Sequence, residues 1–155
     1  MVDLGMSLEN YLRSNDVWYR FIRKPETIHT ADAAKAAGLD LSRLTKNLVS
    51  VTDQGEYVVL IVPGNKRVHL KKAALTLNVK NVRLVPFEEA DKISGYPPGG
   101  TPSVGFKKKI RVIIDKSLLN YDTLFCGGGS RDLLVELKVE DVIRLNNAIS
   151  ADISK

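Results

Sequence analysis

The sequence predicts a mixed α/β domain of the α+β kind, in which a curled, mostly antiparallel, barrel-like sheet is flanked by short helices. Three observations lead there. Two runs rich in β-branched residues, "KNLVSVT" and "EYVVLIVP", are joined by "DQG", the pattern of an antiparallel hairpin. The helical stretches are short and bounded by capping residues and glycine, as in "TADAAKAAG". No regular alternation of strand and helix runs through the chain, so a parallel doubly wound sheet is not expected. At 155 residues and 44% hydrophobic content, with no repeat, linker or low-complexity tract, residues 1–155 read as a single domain around one core.

Each element follows from its local pattern. "SLENYLRSND" places Leu8, Tyr11 and Leu12 on one face after Ser7, which predicts an opening helix capped by that serine. "WYRFIR" alternates like a strand, and "TADAAKAAG" reads as a helix from a Thr30 cap to a Gly38 stop. After the hairpin, "LKKAALTLN" predicts a helix with a basic outer face, "VRLVP" a brief strand, and "PFEEADKISG" a helix whose first turn takes Pro86. "IRVIID", "DTLFCG" and "DLLVEL" are three further strands. "VEDVIRLNNAI" closes the chain as an amphipathic helix with Val139, Val142, Ile143 and Ile149 facing inward.

Composition narrows the function classes. The longest apolar run, "YVVLIVP", is far shorter than the roughly 20 residues that cross a bilayer, and the N-terminus lacks a signal peptide's pattern. The expectation is a soluble, cytoplasmic protein without a membrane partner. A single cysteine, Cys126, excludes an internal disulfide, and His29 and His69 lack ligand-like spacing, so neither metal nor cofactor is expected. The 23 Lys and Arg residues exceed the 18 Asp and Glu by +5, and they cluster. Lys66, Arg67, Lys71, Lys72, Lys80 and Arg83 form a run without an acid, and Lys107, Lys108, Lys109 and Arg111 form a second group. Such clusters either remain solvated or hold phosphates by releasing counterions from a nucleic acid.

Two glycine-rich stretches stand out, "GYPPGGTPSVGF" at 95–106 and "CGGGSRD" at 126–132. The first is not a P-loop, because Phe106 stands where the lysine belongs and a strand follows rather than a helix. Nor is Ser103 in a nucleophile elbow, since Thr101 occupies the glycine position and no histidine is near in sequence. Glycine backbone can instead approach a ligand closely and offer N–H groups to an oxyanion or a terminal nucleotide.

The ordered set "TKNLV" at 45–49, "GYPPGGTPSVG" at 95–105 and "GGG" at 127–129 resembles the YbaK/ProX superfamily, free-standing relatives of the editing domain inserted in bacterial prolyl-tRNA synthetases. The resemblance runs from about Trp18 to Ile149. It implies a barrel-like, mostly antiparallel α/β fold and hydrolysis of the ester joining a wrongly attached amino acid to tRNA. It implies Lys46 as the catalytic residue, and Asn47, Gly95, Pro98, Gly99, Gly100, Gly127, Gly128 and Gly129 as the substrate cradle. Lys71, Lys72, Lys107, Lys108 and Lys109 are the tRNA-binding candidates, and the partners are a mischarged aminoacyl-tRNA and a synthetase. The chain departs from the family pattern at Lys46-Asn47, where Lys-Thr is common, at Lys24-Pro25, where His-Pro is common, at His69, where an acid is common, and at Ser103, where proline is common.

An aminoacyl ester is already activated, so positioned water and a stabilised oxyanion suffice without a covalent nucleophile. Lys46 can serve as a cation that binds a terminal phosphate, the favoured role, or as a neutral base if burial lowers its pKa from about 10.4. The resemblance implies that the substrate's own ribose hydroxyl handles the proton. Two other readings stay open: a non-catalytic module that holds an RNA end, and a small-molecule ester or amide hydrolase.

Overall fold

The computed structural model describes residues 4–155. Helix α1 (Leu4–Ser14) buries Leu8 and Leu12 completely. Ser7 lies inside this helix rather than at its cap, and its hydroxyl accepts from Lys107 Nζ at 2.6 Å. Strand β1 (Tyr19–Arg23) leads to α2 (Thr30–Ala37), which buries Ala33 and Ala34. It is capped by His29 rather than Thr30 and ends at Gly38 in the left-handed region, φ 67°. The expected hairpin is β2 (Thr45–Thr52) with β3 (Tyr57–Pro63), antiparallel with Lys46 opposite Val62 and Asn47 opposite Ile61. Next come α3 (Leu70–Leu77), β4 (Val82–Leu84) and α4 (Phe87–Ser94), with Pro86 at the α4 N-cap, one position before the first turn. The second half holds β5 (Arg111–Asp115), β6 (Thr123–Gly127), β7 (Leu133–Lys138), α5 (Val139–Asn146) and β8 (Ile149–Ala151).

The closing helix is shorter than its sequence pattern suggests. Asn147 takes the left-handed conformation, φ 48°, and ends it, so Val139 and Val142 are buried on α5 while Ile149 belongs to the three-residue strand β8. Ile149 packs with Val58, Leu60 and Ile113, on the far side of the sheet from α5.

The strands form two sheets, β1-β7-β6 and β4-β2-β3-β5-β8. Pairing is antiparallel except at β3–β5 and β5–β8, so the mixed, mostly antiparallel character holds. Val58, Leu60 and Val62 pack under Ala73, Ala74 and Leu77 of α3. Val59 and Ile61 face the other way, into the main core with Val49, Val51, Leu8, Val142, Leu124 and Val135. Period-two alternation thus gives β3 two buried faces, which accounts for its unbroken apolar sequence.

The sheet does not close into a barrel. Among the described residues the two sheets meet through a single parallel bridge, Leu44 with Phe125. On the edge of β2 away from β3, β4 pairs only with Ser50–Thr52, and the Val85 N–H reaches Val49 O at 2.9 Å. The segment 45–48 is therefore left without a strand on that side among the described residues. The two glycine-rich loops fill the place of the missing pairing, and a cavity opens there.

Candidate active site

The cavity, of about 410 Å³, is lined by Thr45–Val49 of β2, by Ile28 and His29 before α2, by Leu84 and Phe87, and by Pro98, Gly99, Thr101 and Gly127. Main-chain geometry explains why β2 serves as its floor. Leu44 O accepts from Gly64 N–H and Thr52 N–H donates to Glu56 O, so the even-numbered residues of β2 bond to β3. By alternation, the N–H and C=O groups of Asn47 point to the open edge. Lys46 is half-buried, and burial, reinforced by the positive charge of Arg67, holds its pKa below the ordinary lysine value. No Asp, Glu or Arg lines the cavity among the described residues, so Lys46 is the charged side chain there other than any charge on His29.

Behind the floor lies a closed ring of hydrogen bonds. Asn47 Nδ2 donates to Thr45 Oγ1 at 3.1 Å, Ser103 Oγ donates to Asn47 Oδ1 at 2.7 Å, and the two hydroxyls lie 2.9 Å apart. Each hydroxyl has one proton, and that of Ser103 goes to Asn47, so Thr45 must donate to Ser103. The ring then runs in one direction, which strengthens each member. The second Nδ2 proton of Asn47 goes to Thr101 O at 3.1 Å, and Asn146 Nδ2 holds Ser103 O at 2.7 Å. Asn47 thus spends its side-chain amide on the glycine loop and offers the cavity its main chain.

This ring also disposes of two reactive side chains. Ser103 is 0% exposed and has no base beside it. Cys126, fully buried against Ser103 and Thr45, has its thiol pushed up to about 11 by burial. Ser103→Ala should leave Asn47 Oδ1 without its donor, at a cost of about 1–3 kcal/mol. Turnover should fall by less than about tenfold, as measured by melting temperature and amino acid release on one preparation; abolished turnover in a folded variant would contradict the positioning role.

The glycines serve chiefly to let three loops pack backbone to backbone. A Cβ on Gly127 would lie 2.2 Å from Thr101 O, one on Gly100 2.9 Å from the Ser130 backbone, and one on Gly99 2.7 Å from Ile28 Cα. The N–H groups of Gly100, Gly128 and Gly129 are bonded internally, to Pro97 O, Leu133 O and Gly100 O. Gly95 caps α4 at φ 85° and packs against the Lys107 side chain. The structure thus brings Lys46, Asn47, Pro98, Gly99 and Gly127 to the cavity wall, while Gly95, Gly100, Gly128 and Gly129 shape the loops behind it. Thr101 is a lining residue that sequence reasoning missed. Among the described residues, the N–H groups of Gly99 and Thr101 have no protein acceptor.

Lys24 ties these loops together. Lys24 is 7% exposed, and its ammonium donates to Thr27 Oγ1 at 2.6 Å, to Pro25 O and to Arg131 O. Arg131 Nε in turn donates to Pro98 O at 2.9 Å. Burial among uncharged acceptors lowers the Lys24 pKa, with Asp132 and Glu26 opposing the shift.

The remaining basic candidates are distributed around the molecule. Lys71 is exposed on α3, whereas Lys72 is held by Asp152 at 2.9 Å and by Ser154 O at 3.1 Å. Lys107 lies over the Tyr96 ring, 5.3 Å from its centroid. Lys108, Lys109 and Arg111 line a separate groove of about 680 Å³ with Tyr11, Tyr57 and Phe106. That groove lies at the hairpin-turn end of β3, five residues and so roughly 17 Å along the strand from the partner of Lys46.

Known proteins resemble this chain over most of its length. EbsC of Enterococcus faecalis, by its name a candidate Cys-tRNA(Pro)/Cys-tRNA(Cys) deacylase, is 27% identical over 136 residues, which is 88% of this chain and 83% of its own. YwhH of Bacillus subtilis, an uncharacterized protein, is 33% identical over 131 residues, 84% of this chain and 80% of its own. The crystal structure of a hypothetical protein, APE2540, superposes with a TM-score of 0.89 at 27% identity, covering 96% of this chain and 99% of that one. The model of the aminoacyl-tRNA editing domain matches residues 24–145, a span that holds Lys46 and both glycine-rich loops, and the chain belongs to that family.

Proposed function

We propose that the cavity hydrolyses the ester of mischarged aminoacyl-tRNA in trans, releasing amino acid and free tRNA, and that Lys46 anchors the substrate there. The observation that carries this reading is the pairing of one half-buried cation with free main-chain donors. Lys46 stands on a wall without acids, and Gly99 and Thr101, whose N–H groups have no protein acceptor among the described residues, line the same cavity. The cation suits the phosphate of the terminal nucleotide, and the donors suit the oxyanion that forms as water adds to the ester carbonyl. Water's oxygen bonds to the carbonyl carbon, the bond to the ribose oxygen breaks, and that oxygen takes a proton relayed through the neighbouring free ribose hydroxyl. No side chain need form a covalent intermediate.

Membership in the editing family and the name of EbsC support an aminoacyl-tRNA substrate. The cytoplasm, where charging takes place, is the compartment this reading implies, and a synthetase is the natural source of the mischarged tRNA. Among the described residues no helix is long and apolar enough to cross a membrane. The test is a panel of tRNAs for proline and other amino acids carrying alanyl, cysteinyl or seryl esters. Release from at least one pairing, together with sparing of the correctly charged tRNA, is expected; uniform inertness would reject the reading.

The exposed cations should hold the body of the tRNA. Replacing Lys71, Lys108 and Lys109 with alanine should raise KM, flatten its salt dependence by roughly 0.7–0.9 log units per lost phosphate contact, and change kcat little. Hydrolysis of an isolated aminoacyl-adenosine should be unaffected. An unchanged salt slope would leave these lysines merely solvated.

A further inference from the structure

We propose that Phe87, with His29 beside it, is a stacking platform for a nucleobase at the mouth of the cavity, the base being the terminal adenine that adjoins the ester. The proposal rests on the editing reading. It starts from exposed apolar surface. Among the described residues the large hydrophobic side chains with substantial exposure are Trp18, Ile28, Tyr57, Leu75, Leu84, Phe87 and Leu119, and three of them, Ile28, Leu84 and Phe87, line this one cavity. Single exposed apolar residues are ordinary, but convergence on one opening marks a binding surface.

Local structure explains how the ring comes to be there. Phe87 is the first residue of α4, and Ala90, one turn on, lines the same cavity, while Ile93 is buried in the core. The apolar stripe of the helix therefore runs from the core out to the cavity mouth and ends at Phe87, which is 51% exposed. His29 sits at the N-cap of α2, yet its side chain makes no capping bond. Its ring instead stands edge-on to Phe87, with centroids 6.4 Å apart and planes at 73°. Among the described residues the imidazole has no hydrogen-bond partner. An aromatic face flanked by aliphatic side chains and a free imidazole suits a flat, uncharged heterocycle that also has polar edges, and Lys46 on the same wall suits its phosphate. An aliphatic amino acid side chain would need neither ring.

The test uses the intact protein with 5′-AMP and with ribose 5-phosphate, which lacks the base, followed by calorimetry or NMR titration. Wild type should bind 5′-AMP at least about tenfold more tightly than ribose 5-phosphate, the low end of what one base–aromatic stack contributes. Phe87→Ala and Phe87→Leu should both lose that preference, and Phe87→Trp should keep it. Equal binding of the two ligands by wild type, no 5′-AMP binding at millimolar concentration, or a fully competent Phe87→Leu would overturn the platform. So would Phe87 variants that alter only the choice of amino acid ester, because the ring would then touch the aminoacyl group. Failure of the editing reading is separately visible: the platform would bind 5′-AMP in a Phe87-dependent way while no charged tRNA released its amino acid.

Discussion

Lys46→Ala should lower the rate of amino acid release from mischarged tRNA by at least about a hundredfold, on the scale of removing one preorganised charge or donor. Asp, Glu, Arg and other Lys residues are absent from the cavity lining among the described residues. The fold should survive the change. The Lys46 pKa is lowered on folding, by burial first and by Arg67 second, so between its folded and unfolded values the unfolded chain binds more protons. Charging Lys46 therefore opposes folding at neutral pH, and alanine removes that cost. The melting temperature should stay level or rise slightly, which separates lost chemistry from lost structure. The same shift gives a pH test. If the ammonium is the working form, the enzyme-dependent rate falls as pH rises through the lowered pKa, whereas a neutral-amine base would give a rising limb.

Gly127→Ala should be a strongly damaging single-methyl change in the second glycine loop. The added carbon would sit 2.2 Å from Thr101 O, a main-chain atom that Asn47 also holds. The loops must separate, and the separation acts directly on the Thr101 N–H and on the Asn47 ring. An overpacking cost of about 1–3 kcal/mol is expected. For a chain of this size that is a drop of roughly 2–12 °C in melting temperature. Turnover should fall at least about tenfold beyond any loss of folded protein, as read by release assays well below the new melting point. A fully active, undiminished variant would mean that the loops pack less tightly than the geometry requires.

The two adjacent glycines differ: among the described residues Gly99 N–H has no protein acceptor, whereas Gly100 N–H has one. Gly100 is buried and its N–H closes a turn onto Pro97. Its absent side chain makes room for the Ser130 backbone. From sequence, the two uses of glycine look alike, since approach to a ligand and approach to another loop both forbid a Cβ.

Much of the scaffold was legible for local reasons. The β2–β3 hairpin is written in its β-branched runs and its turn, and α2 and α4 end where Gly38 and Gly95 permit a left-handed residue. What escaped depends on distant contacts. Strand β8 is three residues long and exists because β5 offers it an edge. The sheet was expected to curl shut, yet one bridge at Leu44 and Phe125 is the pairing between its two parts, and the cavity occupies the gap. The site shows the same division. Lys46 and the glycine loops carry readable motifs, whereas Phe87, His29 and Ile28 meet where the segment before α2 faces the start of α4 across the cavity, and no spacing in the sequence links them. The role of Ser103 was invisible too, because its partners are 56 and 58 residues away.

The central claim is that this chain turns over a charged tRNA rather than merely holding its end. Its most direct test is the release of radiolabelled amino acid with mischarged tRNA in at least tenfold molar excess over protein, wild type beside Lys46→Ala. Wild type should release many equivalents of amino acid per protein molecule while Lys46→Ala stays near the spontaneous rate. Binding of the charged tRNA without release above that rate would contradict it and leave a non-catalytic RNA-end module.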